Sequence, residues 1–157
     1  GHVTAISKIL TKSGIECVIS PNISEILWTK WLFISTLAGV TCAARTDLSA
    51  IMKCPESKTL LRNVMEEIVN IAKHEGIDLA TDIVETTIKY MEDEATSLKA
   101  SMYSDLEAGK PMELEALTGT VVRLAKKWNV PVPANQTIYA MLKPIASKHQ
   151  SAIPTEK

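Results

Sequence analysis

Glu25-Ile-Leu-Trp-Thr-Lys-Trp-Leu-Phe-Ile-Ser35 is the stretch whose reading decides the fold. Asn22 stands three positions before Glu25, the spacing of a capping box, and the apolar pattern then runs to about Ala44. This predicts a long buried helix. Its longest apolar run, Trp31 to Ala44, is broken by Ser35, Thr36, Gly39 and Thr41 and is shorter than a membrane span. Inside the helix, Ile26, Leu27, Phe33 and Ile34 lie three and four positions from Lys30 and share its face. An ammonium in that company finds a partner, snorkels to water along an apolar surface, or titrates at a lowered pH. A lysine that releases its proton near neutrality is a general acid, whereas a snorkelling one is a solvated head on a packed stem.

The residues downstream continue the helical signal. Pro55 suits a first helical turn, and Leu60, Leu61, Val64, Met65, Ile68, Val69 and Ala72 form a stripe of period 3.6. Gly76-Ile77 reads as a left-handed stop followed by an apolar residue. Thr81 or Asp82 then caps a helix carrying Ile83, Val84, Ile88 and Met91. The acidic run Glu92-Asp-Glu94 reads as a solvated helix end. Ser101 to Glu107 makes a short helix ending at Gly109-Lys-Pro111, and the next helix carries Leu117, Val121, Leu124 and Trp128. Asn129-Val-Pro-Val-Pro133 ends that one, Ala134 to about Lys148 forms the last, and Gln150 to Lys157 is expected to fray.

Upstream, Val3 to Lys12 has helical spacing at Ile6, Ile9 and Leu10, with a stop at Gly14-Ile15. Ile15-Glu-Cys-Val-Ile19 is a strand candidate ended by Ser20-Pro21, and Gly1-His2 reads as a tag remnant. A lone helix and a lone strand make no sheet. Residues 1–20 are therefore expected to be a scar plus the tail of a preceding α/β domain, and residues 21–157 an all-α domain of five to seven helices.

A chain of 157 residues supports one substantial core. Its apolar content of 46% and net charge of −1 argue against a disordered tail and against a general nucleic-acid binder. Basic residues are spread along the chain. No signal peptide is evident. Cys17, Cys42 and Cys54 are odd in number and contain no C-x-x-C pair, which suits free thiols in a reducing cytoplasm better than disulfides or a zinc site.

Standard catalytic signatures are missing: no G-x-G-x-x-G, P-loop, H-E-x-x-H or G-x-S-x-G occurs. His2, His74 and His149 read as solvated, and Glu66-Glu67 as ordinary neighbours of an apolar stripe. Two places invite more. Ser101, opening a short helix, either caps it or helps hold a carboxylate there. Glu113 is read at the start of a new helix, stabilised by the helix dipole, and is either functional or an ordinary first-turn acid.

Read in order, these residues form a pattern. Leu27-Trp28 with Lys30 comes first, then Ser101-Met102, Asp105, Gly109 and Glu113. Gly119, Val122-Arg-Leu-Ala125, Lys127, Val130-Pro131, Pro133, Asn135, Tyr139 and Leu142-Lys143 follow. From about Gly14 to Lys143 the chain resembles the C-terminal domain of ketopantoate reductases. The resemblance implies an upstream Rossmann domain binding NADP. It implies reduction of 2-dehydropantoate to pantoate, a step toward pantothenate and coenzyme A. Lys30 matches the family's catalytic lysine, Glu113 the glutamate that meets the lysine and the substrate hydroxyl, and Ser101 a substrate-contacting serine. Asp105 is read as support for the short helix.

One departure is clear. Known members carry asparagine four and eight residues after the lysine, the first orienting it and the second binding substrate; here those positions hold Ile34 and Ala38. Ser35 and Thr36 are polar, but a helix rotates them away from Lys30. The departure bears on which 2-oxo acid is taken more than on the type of reaction. The competing expectation is a non-catalytic helical module that pairs with a second copy through residues such as Trp31 and Trp128. The two expectations are compatible, since such a domain can supply substrate groups and a homodimer contact together.

Overall fold

The structure is a computed structural model that describes residues 1–151. The long helix, α2 (Ile23–Ala44), starts as expected: Asn22 Oδ1 accepts the Glu25 N–H at 3.4 Å, and Asn22 Nδ2 donates to Glu25 Oε2 at 2.7 Å. Every residue from Ser35 to Cys42 is buried, so no face of this half of α2 meets water. That is why its sequence lacks a polar stripe. At 22 residues, α2 is long and apolar enough by length and composition to cross a membrane, a length the apolar run alone did not reach. In the fold it is the central rod, packed by α3 (Leu48–Lys53), α4 (Pro55–His74), α6 (Ser101–Glu107), α7 (Thr118–Trp128) and α8 (Pro133–Ser151).

Around that rod, α4 lays its stripe of Leu61, Val64, Met65, Ile68 and Ala72 into the core, joined by Ile71. The helix stops where Gly76 takes φ +76° and the Ile77 N–H reaches back to the Ala72 carbonyl at 2.9 Å. α5 (Ile83–Asp93) covers α3 and α4, burying Ile88 and Met91, and α7 pairs with α8. With α2 to α8, the domain has the upper number of helices expected. The short α3 was not anticipated, although Asp47 caps it by accepting the Ala50 N–H at 2.9 Å.

Three local expectations are corrected. Residues 15–19 form no strand, and the described residues contain none: Ile15, Val18 and Ile19 are exposed, and no second strand among the described residues pairs with them. The preceding α1 (His2–Lys12) forms as read but buries no residue. The helix expected near Glu113 begins only at Thr118. Residues 114–117 form a tight turn, and Leu117, at φ −96° and ψ −102°, breaks helical continuity. At the far end α8 stays helical through Ser151, so the fraying expected from Gln150 does not begin there; residues 152–157 lie outside the described residues.

Cys42 is fully buried in α2, and burial pushes its thiol up to about 12; Arg45 partly opposes this and Asp105 adds to it. A thiol that stays protonated is a poor nucleophile. A disulfide reagent at mildly alkaline pH is therefore expected to modify Cys17 and Cys54 in the native chain. Cys42 should react only in denaturant, and a thiol count in both conditions checks this.

Candidate active site

Lys30 lies about two turns into the exposed end of α2, where the helix has left the core. It lines a cleft of about 910 Å³ between the first three turns of α2 and one face of α5. Phe33 and Ile34 form the α2 wall, Ile83 and Tyr90 the α5 wall, and Ser20-Pro21 closes one end. Phe33 and Tyr90 pack ring against ring at 5.7 Å, which fixes the spacing of the two helices there. Lys30 is exposed, so among the three options open to a lysine in apolar company it has taken the solvent-facing one. Among the described residues it makes no ion pair.

Glu113 is exposed and lies outside the lining of this cleft. Its backbone carbonyl heads the turn, accepting the N–H of Ala116 at 3.1 Å and of Leu117 at 3.2 Å. That turn is tied to the helix residue beside Lys30: the Trp31 indole N–H donates to the Ala116 carbonyl at 3.3 Å. Trp31 is braced in turn by an edge-to-face contact with Trp28, ring centres 5.0 Å apart. It is half-buried and committed, unlike the free docking tryptophan read from sequence.

Ser101 is the first residue of α6 and is exposed. Ala100 occupies the cap position, and no side chain caps the helix, so the reading of Ser101 as a simple cap is not realised. Asp105 is half-buried on the same helix, close enough to Cys42 to act on its thiol. Ile34 lines the cleft, while Ala38 is buried. Ser35 and Thr36 are also buried, away from Lys30, and their hydroxyls have no hydrogen-bond partner among the described residues.

Sequence reasoning missed the carboxylate that organises the neighbourhood of Glu113. Glu115 accepts from Tyr139 Oη at 2.9 Å and Arg123 Nη1 at 3.0 Å, and pairs with Lys143. Gly119 lets the chain pass this cluster: a Cβ there would lie 2.9 Å from Glu115 Oε2 and 3.1 Å from the Leu114 carbonyl oxygen. The only signal in the sequence was the recurrence of Tyr139 and Lys143 one turn apart. The Lys143 hydrogen bond, followed by that from Tyr139, holds the Glu115 carboxyl below the usual carboxylate range. A depressed folded-state pKa contributes stability above the unfolded value and loses it as pH falls through the folded one. Acid should therefore destabilise this chain more than its Glu115→Gln variant, and melting curves at neutral and acid pH compare the two.

Residues 22–146 match the ketopantoate reductase PanE/ApbA C-terminal family, and the chain belongs to that family. It is 26% identical over 141 residues to an uncharacterized oxidoreductase, YkpB, of Bacillus subtilis (90% of this chain, 46% of that one). It is also 26% identical over 137 residues to the 2-dehydropantoate 2-reductase of Halobacterium salinarum (87% of this chain, 45% of that one). The fold superposes on a dimeric ketopantoate reductase from Staphylococcus aureus with a TM-score of 0.87 at 26% identity, covering 95% of this chain and 52% of the other. The chain thus spans about half the length of the relatives it matches.

Proposed function

We propose that this chain is the substrate-binding and catalytic half of a two-domain reductase that converts 2-dehydropantoate, or a related 2-oxo acid, to its 2-hydroxy acid in pantothenate and coenzyme A biosynthesis. The observation that carries the reading is the placement of Lys30, a cation in the lining of a cleft with mostly apolar walls. NADPH, held mainly by the other half, supplies the hydride that reaches the keto carbon. No phosphate-cradling glycine motif occurs in this chain, which is consistent with that division of labour.

Lys30 does the remaining chemistry. As the carbonyl carbon gains hydride, negative charge builds on the keto oxygen, and the Nζ ammonium stabilises it and delivers the proton that completes the hydroxyl. Glu113 approaches Lys30 in the substrate-bound state, keeping the ammonium charged and meeting the substrate hydroxyl. Catalytic contacts that are long without substrate commonly tighten when it binds. Ser101 contacts the substrate, and Asp105 supports α6. The reductase is cytoplasmic, in keeping with three free cysteines. It is a homodimer, as the S. aureus relative is described to be. Sedimentation of the full-length protein tests the assembly, a monomer at high concentration counting against it. Turnover of nicotinamide with 2-oxo acids by the same protein tests the activity.

A further inference from the structure

We infer that Thr87, on the α5 wall of the cleft, is a specificity-determining residue that hydrogen-bonds the hydroxyl of a hydroxylated 2-oxo acid such as 2-dehydropantoate; this rests on the reductase reading above. Thr87 is 8% exposed and lines the same cleft as Lys30, with Ile34 on the other wall. Its hydroxyl has no hydrogen-bond partner among the described residues. Inside a helix that is unusual, because a threonine hydroxyl commonly bonds a carbonyl one turn back. Thr41, Thr59, Thr86 and Thr137 each do so, to the carbonyl four residues earlier, at 2.6 to 3.0 Å. Ser35, Thr36 and Thr118 are unpartnered too, but their hydroxyls are sealed in the core, out of reach of a ligand. In the cleft lining, the Thr29 and Tyr90 hydroxyls are also without a partner among the described residues, yet Thr29 is half-buried and Tyr90 exposed, so water serves both. Thr87 is the one hydroxyl of that lining that is both deeply buried and uncommitted.

A substrate hydroxyl has one proton to give and lone pairs to receive with. The reductase reading sends the proton to Glu113. Thr87 Oγ1 donates to the oxygen, so both capacities are met and the buried threonine gains the partner it lacks. A methyl in place of that hydroxyl displaces water from Thr87 and returns no hydrogen bond, which is how a polar site rejects an analogue. Ile34 offers no polar atom, so the discrimination falls to α5.

The test uses a matched pair. Trimethylpyruvate has the carbon skeleton of 2-dehydropantoate and lacks only its terminal hydroxyl. In the full-length enzyme, kcat/KM is expected to favour 2-dehydropantoate by about 100-fold or more. Thr87→Val, close in shape, should cut that preference about tenfold without lowering Tm, since it removes a hydroxyl that no protein group holds. Thr87→Ser keeps the oxygen and should keep the preference. An undiminished preference in Thr87→Val, or a native preference for trimethylpyruvate, overturns the inference and leaves the reductase reading standing. Turnover of neither acid by the native enzyme overturns both. If Thr87→Val does not fold, Thr87→Ala is compared with Thr87→Ser, which differ by the oxygen alone. Alanine should lose the preference and serine retain it, and equal preferences overturn the assignment.

Discussion

Replacing Lys30 with alanine in the full-length enzyme is expected to lower kcat/KM for its 2-oxo acid by about 10³- to 10⁵-fold, with the fold intact. The two halves of that expectation come from different observations. General acid catalysis contributes about 10²- to 10⁴-fold, and charge stabilisation at a developing oxyanion about 10²- to 10³-fold. On the proposed reading one Lys30 nitrogen supplies both, so the losses overlap and do not multiply. Stability should change by less than about 0.5 kcal/mol, because Lys30 is exposed and forms no ion pair among the described residues. Lys30→Arg separates the two contributions. It keeps a positive charge that does not deprotonate in proteins, so it should recover part of the charge stabilisation and none of the proton delivery. Steady-state kinetics with a thermal melt on each variant decide the matter. Near-normal turnover by Lys30→Ala would leave the domain a helical scaffold and remove the catalytic reading.

What could be read along the chain was what is encoded locally. The Asn22–Glu25 cap, Pro55 at the start of α4, the stripe of α4 and the stop at Gly76-Ile77 each involve residues within a few positions of one another, and each is found as read. The strand at residues 15–19 failed for the complementary reason. Strand propensity is realised only against a partner strand, which the described residues do not offer. The start of α7 was misplaced because apolar periodicity cannot register a single residue at ψ −102°, and Leu117 is that residue. For the candidate site, Lys30 stood out because a lone cation among Ile26, Leu27, Phe33 and Ile34 is a local anomaly, and it does line a cleft. The cleft itself did not, since its second wall arrives with α5, more than 50 positions later. The Glu115 cluster and the bond from Trp31 to Ala116, across 85 positions, were out of reach in the same way.

The clearest long-range case is Glu67, which sequence reading passed over as a neighbour of the α4 stripe. Its carboxylate caps the start of α8: Oε1 accepts the Ala134 N–H at 2.7 Å, and Oε2 accepts the Asn135 N–H at 2.9 Å and the Asn135 side-chain N–H at 2.7 Å. Asn135 is 1% exposed, and its Nδ2 also donates to the Val64 carbonyl at 3.2 Å, so the clip joins the middle of α4 to the first turn of α8. Pro133 leaves no N–H of its own at that turn, and the next two backbone donors both go to Glu67. Removing the carboxylate strands those donors where water has poor access, and a lost helix cap alone costs about 0.5–2 kcal/mol. With the buried Asn135 amide added, Glu67→Ala is expected to destabilise the chain by about 2–4 kcal/mol. At this length that lowers Tm by roughly 5–15 °C. Glu67→Gln keeps one acceptor oxygen and should lose only about half as much. Denaturant unfolding of the two variants separates a hydrogen-bonded clip from simple packing of the side-chain stem. Equal losses in alanine and glutamine would mean that the carboxylate's second oxygen carries the whole effect. No loss in alanine would mean that α8 docks through Ile138, Leu142 and Ala146 alone.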